Sequence, residues 1–306
     1  YGNNTFLGDF TTYTADYASR LGIGSDTALG QGTVHLRGKP VEALGAARSL
    51  ANSLSLEGDF VVQGSYNLAF AGAATLTGNR TITVNNDTFA LAGGVGENAA
   101  GRALAKAGAG WLVIGGTSSY SGATTISAGV LRASDGAGLP TASLLQIRGG
   151  VLEMSGAFTR TLGTAAGNVN WDAASSGGFS AYGGAATVNL NGGGADNLAW
   201  GSTPSFIGNG AVLQFGSTKS DNVLTFVDNI GLGADAGAVR QINVTDNTAS
   251  AADKTILSGV LSGTGILRKA GTGQLELSGA NTFSGQVAVV QGQLALASTG
   301  SLSGAT

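Results

Sequence analysis

Residues 267–296 read LRKAGTGQLELSGANTFSGQVAVVQGQLAL, and residues 104–131 read LAKAGAGWLVIGGTSSYSGATTISAGVL. Laid one under the other, they align without a gap at a constant offset of 163. The lysines, most glycines and the leucines at 104, 112 and 131 coincide with their counterparts, Tyr120 faces Phe283 and Ile126 faces Val289, so substitutions keep apolar bulk in place. A third copy is partial: residues 2–8, GNNTFLG, match 279–285, and residues 21–33 run parallel to 294–306. The copies fall at 1–33 (partial), 104–134 and 267–306. End repeats normally carry an atypical polar outer face, so an array cut in mid-copy is expected to continue in both directions.

Apolar residues in the quoted stretch come in pairs two apart: Leu275 and Leu277, Val287 and Val289, Leu294 and Leu296. That is strand period, and all six are expected to point inward. Between them lie SGANTFSG and QGQ, rich in residues that tolerate positive φ or cap their own turns. Leu275 to Leu294 and Leu112 to Leu131 are both 19 residues apart. A fixed return distance of about 20 residues is the size of one solenoid coil, which predicts about 15 coils in a rod about 70 Å long. The same texture runs through 54–84, 144–154, 211–217, 222–230 and 239–246, so residues 1–306 are read as one continuous segment of a longer array. Residues 43–56, ALGAARSLANSLSL, offer the one helical alternative, and the surrounding pattern favours strands. A string of β-sandwiches would also give short strands with frequent turns. Fifty-three glycines, 7% aromatic residues and 3 prolines favour the all-β parallel solenoid.

Composition narrows the function classes. With 42% hydrophobic residues and a formal charge of −3 the chain is not of the disordered type, and its glycines lack the triplet period of collagen. Absence of cysteine leaves stability to packing and backbone pairing, and suits export of an unfolded chain. Scattered Lys and Arg form no track for nucleic acid, and no apolar run reaches membrane-span length. The opening YGNNTFLGDF lacks the basic and apolar parts of a signal peptide.

The two long copies resemble the autotransporter-associated β-strand repeat, also called the passenger-associated transport repeat. That pattern runs Lys, Gly-x-Gly turn, Leu-x-Leu strand, an Asn-Thr-aromatic corner with Ser-Gly, a second strand and Gly-x-Leu. The first copy departs at the corner, where Ser118 and Ser119 stand in place of Asn281 and Thr282. The resemblance implies a right-handed parallel β-helix in the passenger of a secreted or surface protein of a Gram-negative-type bacterium. It implies repeats that assist secretion and folding, and no catalytic residues.

Residue-level chemistry is sparse. His35, the single histidine, sits at an outward strand position next to Arg37, with no second histidine for a metal and no nucleophile motif for a serine triad. Asp221, Asp228, Asp235 and Asp246 could line adjacent coils as the acids of a carbohydrate-active β-helix, with Arg240 beside them; their turn-like contexts favour backbone capping. Residues 231–235, GLGAD, and 192–196, GGGAD, faintly resemble a calcium repeat but do not recur in tandem. The glycine pairs 115–116 and 149–150 read as corners, since no phosphate-loop lysine follows. Trp111, Trp171 and Trp200 would form a sugar platform only on a shared face, and their spacing favours core or capping roles. The reading is a structural, non-enzymatic segment without cofactor or metal. Its expected partners are neighbouring repeats of the same chain or identical subunits end to end, with surface glycans as a further candidate.

Overall fold

The computed structural model describes residues 7–12, 19–172, 174–190 and 197–302. The described residues are strands and turns, with no helix among them. The chain forms two compact units, residues 1–145 and 146–306, each with its own stack of parallel strands.

In the first unit, successive short strands lie on three faces. One face stacks Val34–Leu36, Leu54–Leu56, Ala74–Leu76 and Val95–Glu97. A second stacks Val41–Ala43, Phe60–Gln63, Arg80–Val84, Leu104–Ala107 and Thr124–Ile126. A third stacks Arg48–Leu50, Leu68–Phe70, Thr88–Leu91, Trp111–Ile114 and Val130–Arg132. Each strand pairs in parallel with its counterpart one coil later, as Leu54 does with Ala74. Only a chain that winds round and returns can do this, and the unit is a parallel β-helix. Alternation sends every second residue inward: Leu36, Leu56 and Leu76 form one buried column, and Leu68, Phe89, Leu112 and Leu131 another. Phe89 stands edge-on to Phe60 and Phe70, with ring centroids 5.8 and 6.2 Å apart. Residues 43–56 are not helical but run through the end of Val41–Ala43 and the strands Arg48–Leu50 and Leu54–Leu56 with bends between them, Leu50 and Leu54 buried and Leu44 exposed.

The second unit opens with two long strands, Val151–Thr159 and Gly177–Asn189, which pair across a register shift between Met154 and Gly156. The shift lets one strand serve two faces. Leu213, Ile242, Lys269 and Val289 then form one column, and Leu224, Thr255, Leu275 and Leu294 another. Coil length is uniform only near the repeat: Leu275 faces Leu294 and Lys269 faces Val289, whereas Ala186 faces Leu224 and Leu198 faces Ile230. Longer coils spend the extra residues on outward loops such as 245–253, so the figure of about 20 fails for these coils of the second unit, whereas in the first unit it holds outside the repeat as well, as from Val34 to Leu54 and from Leu54 to Ala74.

Trp171 and Trp200 are core residues of this unit. Trp171 packs edge-on against Phe179 and Phe206, each at 5.8 Å, and the Trp200 indole donates to the Gly208 carbonyl at 3.0 Å. They are not sugar platforms.

The inward reading holds for Leu275 and Leu277, both fully buried. It fails in degree for Val289 and Leu296, which are 49% and 48% exposed, and for the half-buried Val287 and Leu294. The strands Val287–Val289 and Gln293–Leu296 pair on one side only among the described residues, so nothing closes over their inner faces. In the first copy the same positions are Thr124, Ile126, Leu131 and Ala133, all buried, and the Thr124 amide donates onward to the Leu144 carbonyl.

Candidate functional site

The feature that sets the repeat apart lies inside it. Lys106 alternates in phase with the buried Leu104 and occupies the column Phe60, Ile82, Lys106, Ile126. Its Nζ donates to the Ala107 carbonyl at 2.8 Å, the Gly108 carbonyl at 2.7 Å and, one coil later, the Ala128 carbonyl at 3.1 Å. Lys269 repeats the geometry: Ala270 and Gly271 carbonyls at 2.8 Å and the Gln291 carbonyl at 3.1 Å. Both side chains are fully buried. Burial pushes Lys106 down to about 7 and Lys269 down to about 8, because a cation loses its water there.

Two stacked turns aim these carbonyls. Gly108 and Gly129 have φ of 78° and 63°, and their counterparts Gly271 and Gly292 have 76° and 69°. A Cβ on Gly129 would lie 2.5 Å from the Gly108 oxygen, and one on Gly292 would lie 2.4 Å from the Gly271 oxygen. Glycine is required both for the left-handed backbone and for the close stacking. The sequence displays these lysines, but as elements of a pattern their role is easily passed over. The signal was a lysine on the inward phase of a strand, twice, at the same distance from the same glycines.

The corner shows how the first copy manages without asparagine. Asn281 accepts from the Leu261 amide at 2.8 Å and donates to the Ser301 carbonyl at 3.0 Å. In the first copy the Ser118 hydroxyl accepts from the Val95 amide at 3.0 Å, supplying the acceptor half. The neighbouring substitutions are matched: Tyr120 Oη bonds Thr124 Oγ1 at 2.7 Å, and where phenylalanine replaces tyrosine, Val287 replaces the threonine.

His35 has partners that its sequence neighbourhood does not reveal. Its Nδ1 lies 2.5 Å from Glu57 Oε1 and its Nε2 lies 3.4 Å from Asp9 Oδ2, on the coils to either side. Arg37 Nε holds the other Glu57 oxygen at 2.5 Å, and Ser55 donates to Glu57 at 3.0 Å. The Glu57 hydrogen bond, then Asp9, raise the His35 pKa against desolvation, and the histidine above all brings the Glu57 carboxyl down to about 2. The cluster is a charge ladder across three coils.

The aspartates are dispersed. Asp221 accepts from the Gly183 amide at 2.7 Å, the buried Asp228 from the Leu190 amide at 2.8 Å, and Asp235 from the Gly237 amide at 2.9 Å. Asp246 uses its backbone amide toward Thr272 Oγ1. Arg240 is buried, donating to the Leu232 carbonyl and to Asn209, and among these acids Asp235 is the one whose charge acts on it. Residues 192–196 lie outside the described residues. Among the described residues no group of three His, Asp or Glu side chains is placed to hold a metal.

Stacked parallel coils with a repeated lysine-centred turn define a β-helical repeat chain. Two stretches, 104–133 and 267–296, match the passenger-associated-transport-repeat family. Over 103 residues the chain is 33% identical to an adhesin autotransporter, BmaC, of Brucella suis, a match covering 34% of this chain and 3% of that protein. No solved structure matches the chain.

Proposed function

We propose that the chain is a non-enzymatic structural segment of a secreted or cell-surface β-solenoid passenger of a Gram-negative-type bacterium, a stalk, adhesin body or extracellular fibre whose repeats assist secretion and folding. The observation that carries this is the pair of family matches, each of which spans one coil and the start of the next, joined by a buried lysine at the same position. Parallel coils pair with their neighbours, so the structure can grow coil by coil as chain leaves a pore, without waiting for distant segments. Folding outside then opposes back-sliding. The half-exposed Val289 and Leu296 on one-sided strands support a further coil of the same kind as the partner of that edge, with an identical subunit as the alternative.

The test is export of the parent passenger carrying Leu275→Asp with Leu277→Asp. Reduced surface display with the chain held inside is expected, and display at the normal rate would sink the coupling of folding to export. The Brucella relative is an adhesin, which favours a second reading, an adhesive body. Binding of the purified chain on a glycan array would establish it; silence there leaves the scaffold reading.

A further inference from the structure

Both copies put a lysine where the interior column calls for an apolar residue: between Ile82 and Ile126, and between Ile242 and Val289. An aliphatic side chain would fill either site without desolvating a charge. What the lysine supplies is therefore something other than burial.

The apolar pattern has a weakness that the lysine remedies. Strand side chains alternate with period two, so a neighbouring strand slid by one residue turns its apolar face outward, but one slid by two residues does not. Leu104–Ala107 could then face Thr124–Ile126 in more than one register with the same faces buried. Short strands and similar Leu-x-Leu runs throughout the chain make such slips cheap. The lysine breaks the degeneracy. Two of its acceptors, the Ala107 and Gly108 carbonyls, belong to its own turn, and the third, Ala128 O, belongs to the next coil. All three converge on Nζ only when the turn at Gly129 stacks on the turn at Gly108, and a two-residue slide carries Ala128 O about 6.6 Å away along the strand. The second copy reproduces every part of this with Lys269, Gly271, Gly292 and Gln291 O.

We propose that Lys106 and Lys269 are register latches, each locking the turn that ends its own strand to the turn of the following coil, so that the next coil seats in one register. The latch stands on the geometry of the turns and holds whether or not the segment is exported.

Engineered thiols read the register, because the chain has no cysteine of its own. Ala105 and Thr125 are direct partners on the outer face. A cysteine pair there lies within disulfide reach, whereas Ala105→Cys with Ser127→Cys is about 8 Å apart and out of reach. The unmodified lysine background, refolded from denaturant under oxidising conditions, is expected to give the 105–125 bridge alone. With Lys106→Met, the ratio of 105–125 to 105–127 bridges is expected to fall at least about tenfold, as loss of the cross-coil bond removes the preference. A Lys106→Met protein that still closes only the 105–125 bridge, however much less stable, overturns the latch. If that variant does not fold, Lys106→Gln carries the same comparison, and failure of both to form sheet overturns the latch in favour of a plain stabiliser.

Discussion

At the residue scale, two ionisable groups of the first unit set opposite pH dependences. Lys106 titrates at about 7 folded against an ordinary value of 10.5. Between those values the unfolded chain binds the proton and the folded chain does not, so stability rises with pH across that window and is lower at and below neutrality. The denaturant midpoint of the first unit is expected to climb from pH 7 to pH 10, and Lys106→Met is expected to flatten the rise. His35 works the other way. Its folded value lies above 6.5, so its contribution is fully present below 6.5 and is lost as pH rises through the folded value. As the single histidine, it gives one unambiguous imidazole signal. NMR titration is expected to place its midpoint above 6.5, and Glu57→Gln to move it down, since Glu57 is the first cause of the shift; an unmoved midpoint would refute the ladder.

At the element scale, the turns carry what the strands leave open. Leu-x-Leu alternation made Leu112, Leu275 and Leu277 legible as core, and the return distance made the coil legible. The lysine's role, the His35 partners and the lengths of the longer coils were not, because each depends on which residues stack from one coil to the next. Asp9, His35 and Glu57 lie more than 20 residues apart in sequence and meet through register alone. Glycine substitutions separate backbone strain from stacking. Gly101 and Gly129 both have positive φ, but a Cβ at Gly101 meets nothing within 4 Å whereas one at Gly129 meets the Gly108 and Gly110 oxygens. Gly101→Ala is expected to cost about 1 kcal/mol, the left-handed penalty alone, and Gly129→Ala distinctly more. Thermal unfolding of the two variants decides it; equal losses would mean that the stacked turn yields easily.

At the scale of the whole molecule, stability in a stack of coils is a sum over each coil and its neighbours, so protection should follow how many neighbours a coil has. In the second unit Leu275 and Leu277 lie on a strand paired on both sides, with Thr255–Leu257 before it and Leu294–Leu296 after. Among the described residues the strands Val287–Val289 and Gln293–Leu296 have the earlier partner only, and their apolar side chains remain half in solvent. Opening that last coil breaks one set of ladder bonds and exposes little further apolar surface, whereas opening the coil of Leu275 breaks two sets and uncovers a filled core. Native-state hydrogen exchange should therefore show amides of 287–296 exchanging first and those of 274–277 with protection closer to the global limit. The same gradient gives the partner proposal a readout. A peptide or longer chain that supplies the next coil should raise protection at 287–296 to the level of 124–133 in the first copy, where Thr124, Ile126, Leu131 and Ala133 are buried. Protection that is already equal in the chain alone would show that the one-sided edge is closed by other means.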